Sequence, residues 1–358
     1  MLFLDISLHF LFDTFLGILL IVFLLIAGVL YYSFYLFKKL IDLIYWSKEI
    51  DYKVSQAIVH GSDEGEQKDS GTFSQYSNNS SFRDLFLEKL VDSEKKFSGT
   101  AQNEINKLFQ DYNLEKEALK KLDSKKTHLI AGGIQELTSM RVEAAVTKIN
   151  SFLTHPSPLV YQEAQYAMVG FKGFNGLQFL NTVSNKISEW QQLRLLISIP
   201  HIPKNCDDTV NSWLQSENNS VIIFTLRLAR KFQMLSFYSP ILHLLNHSSE
   251  QIRIQAVQTL QSLENPSTVN DLTASYANQT TDVQVEIIKA LKMAKDQSST
   301  DFLKTQLIEH PFPKLKIFAA EALFALGQES FLISLAEDGS APEQIIQIIK
   351  HSMQERIC

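Results

Sequence analysis

Residues Glu250 to Pro266 read EQIRIQAVQTLQSLENP. Ile254, Val257, Leu260 and Leu263 recur at helical spacing, while Gln255, Gln258 and Gln261 fall on the opposite side. That is the pattern of an amphipathic helix, and Pro266 stops it. A lone helix with one apolar stripe is marginal in water and must lay the stripe against neighbours. The fold therefore turns on whether the chain repeats the design.

It does. Similar stretches begin at Leu159 (LVYQEAQYAMV), Ser188 (SEWQQLRLLIS), Val221 (VIIFTLRLARK), Ile252 (IRIQAVQTLQS), Val283 (VQVEIIKALKM), Leu315 (LKIFAAEALFA) and Ala341 (APEQIIQIIKH). The starts are 29, 33, 31, 31, 32 and 26 residues apart. The sixth column holds Ala164, Leu193, Leu226, Val257, Ile288, Ala320 and Ile346, and the ninth holds Ala167, Leu196, Ala229, Leu260, Leu291, Leu323 and Ile349. Both are wholly apolar. The seventh column, Gln165, Arg194, Arg227, Gln258, Lys289, Glu321 and Gln347, is wholly polar. Shorter apolar stretches such as DTVNSWLQS, SPILHLLNH and TDFLKTQLIEH alternate with these helices, and the breaks carry turn residues such as HPSP, NHSS and HPFPK. All nine prolines lie at or beyond Pro156, mostly at breaks, where a fixed φ and a missing donor end or begin a helix. The unit is helix, turn, helix.

SSEQIRIQAVQTLQSL, TTDVQVEIIKALKMA and FPKLKIFAAEALFAL resemble the second helix of HEAT repeats, with that family's Asp and Arg ladder matched only at Asp282, Arg253 and Lys316. The expected fold is all-α: an N-terminal transmembrane helix followed by a HEAT-like α-solenoid of about seven to eight helical hairpins over 127–358. THLIAGGIQELTSM (Thr127 to Met140) is a further second-type helix. Its adjacent glycines would cost about 1 kcal/mol each in an isolated helix, so a close helix contact is the expected compensation.

The resemblance implies that the second helices line a concave side, which puts the seventh column, with the fourth beside it, on a groove. The candidate partner-binding face is Gln162, Gln165, Gln191, Arg194, Phe224, Arg227, Gln255, Gln258, Glu286, Lys289, Phe318 and Glu321. Phe224 and Phe318 stand out because an aromatic among glutamines on an exposed face suits a docking point. Packing against an adjacent turn is the alternative reading.

The N-terminus is a separate object. Thr14 to Phe37 (TFLGILLIVFLLIAGVLYYSFYLF) runs 24 residues without a charge. At 1.5 Å per residue this is roughly 36 Å, enough to cross a bilayer. The absence of a basic n-region and of a small-residue cleavage site argues for a retained anchor over a signal peptide. Met1 to His9 hold no Lys or Arg, whereas Lys38, Lys39 and Lys48 follow the apolar run, so the positive-inside bias puts the N-terminus outside and the solenoid in the cytoplasm. Residues 1–53 then form the anchor and a juxtamembrane helix, 54–81 a flexible polar linker, and 82–126 amphipathic helices that cap the solenoid end. Two cysteines, Cys206 and Cys358, imply no disulfide framework.

Chemistry is hard to find. The nine histidines form no H-x-x-x-H with an adjacent acid, and no Walker loop, G-x-S-x-G or C-x-x-C occurs. HEAT-like metal hydroxylases need His-Glu dipeptides, and none is present. Arg194, Arg227, Arg230, Lys231 and Arg253 make a modest basic cluster in a chain of net charge −6, which argues against nucleic acid. The sequence is thus read as a non-enzymatic, single-pass membrane scaffold that uses no cofactor or metal and binds a protein on its concave face. It resembles bacterial single-pass HEAT-repeat proteins, which implies a role accessory to a membrane enzyme such as a glycosyltransferase. A HEAT-like lyase-type enzyme and an exported periplasmic or extracellular binding domain are the alternatives.

Overall fold

The computed structural model describes residues 2–60, 71–338 and 341–354. Every regular element among them is a helix, and no strand occurs. Cys358, residues 61–70 of the expected linker and part of the DGSAP break lie outside the described residues. The helices fall into two compact units, residues 1–167 and 168–358.

The first unit begins with α1 (Leu2–His60), a single helix of 59 residues, about 88 Å long at 1.5 Å per residue. From Phe10 to Leu40 its large apolar side chains are exposed, and the helix is long and apolar enough to cross a membrane. Its last turns behave differently. Trp46, Ile50, Val54 and Ala57 recur every three or four residues, so they share one face, and all four are buried. That face packs on α3 (Ser80–Glu94) and α4 (Thr100–Asp111). Phe73 of α2 (Gly71–Tyr76) is also buried, edge-on to Phe82, Phe86 and Tyr112 with ring centroids 5.1–5.4 Å apart. Such ring pairs are worth about 0.5–1.5 kcal/mol beyond their buried area.

This corrects the linker boundaries. Residues 54–60 complete α1, 71–81 supply α2 and the start of α3, and only 61–70 lie outside the described residues. Polar composition hid the one buried face that α1 and α2 each keep. The first unit continues through α5 (Glu115–Leu122), α6 (Thr127–Ser139), α7 (Val146–Ser151) and into α8 (Pro158–Lys172). The α5–α6 contact is close at one glycine. A Cβ on Gly133 would lie 2.9 Å from both the Ala118 carbonyl and Lys121 Cβ, whereas one on Gly132 would meet nothing within 4 Å. Close approach thus explains one glycine of the pair.

The second unit alternates short and long helices. The short ones are α10 (Asp207–Leu214), α12 (Tyr238–His243), α14 (Thr268–Ser275), α16 (Thr300–Glu309) and α18 (Glu329–Glu337). The long ones are α9 (Glu189–Ser198), α11 (Asn219–Lys231), α13 (Glu250–Ser262), α15 (Thr281–Ala294), α17 (Pro313–Ala325) and α19 (Glu343–Gln354). From α11 onward each long helix packs on the next, which is HEAT-like stacking of helical hairpins.

Two local devices repeat along the chain. A residue in left-handed conformation follows α6, α11, α13, α15 and α17: Arg141, Gln233, Glu264, Lys295 and Gly327, with φ between 51° and 78°. This closes the last turn of each helix. At the turns before α8, α13 and α17, the Nδ1 atoms of His155, His247 and His310 accept from the backbone N–H groups of Ser157, Ser249 and Phe312 at 3.0–3.1 Å. These three histidines serve as turn caps, with Nδ1 as the acceptor.

The expected core columns hold in α8, α11, α13, α15 and α17. In α9 and α19 the ninth column is also buried, at Leu196 and Ile349, but the sixth slips: Leu193 is exposed beside buried Gln192 and Leu195, and Ile346 is half-buried beside buried Ile345 and Ile348. The α9 slip follows a break in the pattern. Gly173–Asn181 is a nine-residue 3-10 helix, and an irregular stretch then leads to Ser188.

Candidate interaction face

The polar sides of the long helices in the second unit are bonded to one another. Arg227 Nε donates to Gln255 Oε1 at 3.4 Å, and its Nη2 lies 3.3 Å from Glu189 Oε1. Arg230 Nη1 donates to Gln258 Oε1 at 3.2 Å, and Gln255 Nε2 reaches the same oxygen at 3.0 Å. Gln258 Nε2 donates to Glu286 Oε1 at 2.7 Å. Glu286 pairs with Lys289 at 3.4 Å, and Lys289 Nζ stands 5.2 Å above the Phe318 ring. Lys292 pairs with Glu321 at 2.9 Å.

Two diagonals generate this ladder. A seventh-column residue meets the fourth column of the next helix (Arg227 with Gln255, Gln258 with Glu286, Lys289 with Phe318). A residue one turn further on meets the next seventh column (Arg230 with Gln258, Lys292 with Glu321). Burial, and then the neighbouring Arg227 charge, pull Arg230 below the ordinary arginine pKa. A partly exposed ion pair of this kind contributes about 0–1 kcal/mol, so the ladder fixes side-chain positions more than it stabilises the stack.

The candidate residues divide accordingly. Arg227, Gln255, Gln258, Glu286, Lys289 and Phe318 form one connected chain, and Glu321 sits on the next rung. Gln162 and Gln165 belong to the first unit, where Gln162 is half-buried and Gln165 buried. Gln191 is buried and Arg194 half-buried. Phe224 is a correction: it is 0 % exposed and cannot be a docking point. Ser220 to Leu226 are all buried, because α11 is enclosed on every side through its first two turns. There the irregular stretch crosses it, with Ile187 N donating to Ser220 Oγ and Asn218 Nδ2 donating to the Val183 and Asn185 carbonyls. Phe318 is half-buried beneath Lys289, so the packing alternative describes it better than an open anchor.

Sequence reasoning missed Glu189 and Lys292, and placed Arg230 only in a basic cluster. Their signal was present in the repeat spacing: Arg227 to Gln255, Arg230 to Gln258 and Gln258 to Glu286 are each 28 residues apart. The patchy Asp and Arg ladder also has a role. Arg253 and Lys316 cap the preceding short helices through the His247 and Ile308 carbonyls at 2.8 Å, and Asp282 takes Lys314 of the next rung at 2.9 Å.

A cleft of about 1100 Å³ opens where the regular pattern fails, between the irregular stretch, α9 and the start of α11. Trp213 forms part of its wall, held by its Nε1 donating to Asn181 Oδ1 at 2.6 Å. Gln192 is also in the wall. Its Nε2 donates to the Ile187 carbonyl at 3.1 Å, while its buried Oε1 has no partner. Cys206 is buried, with its thiol pushed up by desolvation and then by Asp207, so it is not an activated nucleophile. Among the described residues, no three His, Cys, Asp or Glu side chains come together as a metal-binding set.

No family model matches the sequence, and no curated protein matches it. Several solved structures do. An engineered protein is 14% identical, with 77% of this chain and 89% of that chain covered, at a TM-score of 0.35. Human deoxyhypusine hydroxylase in complex with glycerol is 12% identical, with 76% and 96% covered, at 0.29. The complex of CpcE and CpcF of phycocyanin lyase from Nostoc sp. is 12% identical, with 75% and 94% covered, at 0.25. The last two are enzymes, so the expectation of a non-enzyme is withdrawn.

Proposed function

We propose that this chain is a membrane-tethered interaction scaffold that presents the polar ladder of α11 to α17 to a protein partner. The observation that carries the tether is the division of α1 into a fully exposed apolar length and a final stretch built into the first unit's core. An apolar helix left bare in this way is stable only in lipid or against another apolar surface. The anchor raises the local concentration of the ladder at the membrane without adding a contact. Lys38, Lys39 and Lys48 favour a cytoplasmic location for both folded units, and an accessory role beside a membrane enzyme fits that geometry. The ladder supports the binding reading because its side chains are held in place before any partner arrives, which lowers the ordering cost of association.

Three measurements test this. Alkaline carbonate extraction must leave the chain in the membrane pellet. Protease added to intact cells must spare the C-terminal unit, and digestion there would favour the exported reading. A photo-crosslinker at Lys289 should capture one protein reproducibly, and Arg227→Glu should abolish the capture. The same products from a crosslinker at Lys304, on a short helix, would sink the ladder as the binding face.

The cleft favours a second reading, a HEAT-like lyase-type protein that holds a small molecule. Its volume suits a ligand pocket, and the unpaired Gln192 oxygen would accept from a bound donor. Purification with a chromophore or other small molecule that Gln192→Leu releases would favour this reading over the scaffold.

A further inference from the structure

Helix α9 ends the row of long helices in the second unit, and its rotated register has a consequence. Trp190, Leu193 and Ile197, spaced at one, four and eight along the helix, form a single stripe. They are 72 %, 47 % and 71 % exposed. The opposite side of α9 is well packed: Leu195 and Ile199 are buried, and Lys231 Nζ caps the helix end through the Leu196 and Ile199 carbonyls at 2.5 and 2.9 Å. The stripe is therefore the outward face of a seated helix.

We propose that this stripe rests on an anionic lipid surface. Two observations select lipid over a protein partner. A tryptophan beside aliphatic side chains is the composition of a helix lying in a membrane interface. Residues 186–204 carry Lys186, Arg194 and Lys204 against the single carboxylate Glu189, which is already paired with Arg227, so a locally cationic segment stands out in a chain of net charge −6. The bilayer's proximity rests on the tether proposed above.

The chain contains three tryptophans, and Trp46 and Trp213 are buried. Trp213 is 1 % exposed, against Phe174 at 5.4 Å. Full-length protein carrying Trp46→Phe therefore reports chiefly on Trp190. It is reconstituted into vesicles of phosphatidylcholine alone or mixed with phosphatidylglycerol. On the anionic vesicles Trp190 emission should shift to the blue and be quenched by brominated acyl chains. Trp190→Phe should remove the quenchable emission. Ile197→Glu should abolish quenching with an unchanged helical circular dichroism spectrum. Lys186→Gln and Lys204→Gln should each weaken the contact about fivefold.

If the protein resists carbonate extraction but Trp190 keeps an aqueous, unquenched emission, this proposal is overturned and the tether stands. If carbonate releases the protein, the tether fails, and flotation of the same protein with anionic vesicles decides the α9 face: flotation supports it and sedimentation overturns it. A blue shift that follows protein concentration and ignores lipid assigns the stripe to a second copy, and also overturns it.

Discussion

Helices α13 and α9 lie two rungs apart in one unit and come from the same kind of sequence, a polar start followed by spaced Leu, Ile and Val. In α13 the apolar side is buried, the polar side is bonded to α11 and α15, and a histidine turn precedes the first residue. In α9 the polar side reaches α11 through Glu189 and Arg227, the preceding segment is irregular, and three large apolar side chains are exposed. Repeated pattern therefore implies a closed rung only where the register is kept. Where it slips, the same side chains become surface available to something else.

The largest test of that contrast uses Phe224, on the closed side, against Ile197, on the open side. Phe224→Ala removes a fully buried ring and should cost about 3–5 kcal/mol. Ile197→Ala removes an exposed side chain and should stay within about 0.5 kcal/mol of the parent. Urea denaturation followed by circular dichroism measures both. Equal losses would mean that α9 is as enclosed as α11, and the contrast would collapse.

Next in size is the glycine pair of α6, which asks whether close packing can be read residue by residue. Gly133→Ala pushes a methyl group against the Ala118 carbonyl, and should cost about 1–3 kcal/mol. Gly132→Ala meets open space and should stabilise by about 0.5–1 kcal/mol through helix propensity. Thermal melts with opposite signs are the expected result, and melts shifted the same way would remove close approach as the explanation.

A smaller effect separates rungs with a histidine turn from those without one. Desolvation, and with it the Lys316 charge, holds His310 below the ordinary imidazole value of 6.5. The unfolded chain thus binds the proton more readily than the folded one, and stability fully present above pH 6.5 is lost as pH falls from there through the lower folded value. Protonating Nδ1 also removes the acceptor for Phe312 N–H, a cap worth about 1 kcal/mol. His310→Asn keeps a capping acceptor that does not titrate, and should flatten the acid limb of a stability profile between pH 7 and pH 5. A limb of unchanged slope would show that His310 does not couple folding to pH.

Most of the fold was legible because burial of an apolar stripe has a period that the sequence displays directly. The sixth and ninth columns located the core of five long helices. The slip in α9 was not legible: Leu193, Leu195 and Leu196 offer two apolar registers, and the choice is made by the irregular stretch that precedes them. Helix ends were hidden for a different reason. Gly173 and Gly327 mark the ends of α8 and α17, but the left-handed residues after α6, α11, α13 and α15 are Arg141, Gln233, Glu264 and Lys295, none of which signals a stop as glycine does, since the conformation is set by the packing around it. Phe224 misled because column position predicts a face only if that face is open, and local composition does not record what crosses it.

The smallest expected effect bears on the ladder, the most specific feature of the closed rungs. Lys292 and Glu321 lie 2.9 Å apart, and Lys292 retains more than a third of its side-chain exposure. A double-mutant cycle to alanine should give a coupling of about 0.2–1 kcal/mol at low salt. The coupling should shrink as salt shortens the screening length toward a few ångströms, roughly 3 Å at 1 M. The contrast makes a sharper demand on Arg227. Arg227→Ala should couple to both Glu189 and Gln255, because it joins the open rung to the closed ones. If coupling appears with Gln255 alone, α9 is electrostatically detached from the stack, and its outward stripe must be treated as a surface independent of the ladder.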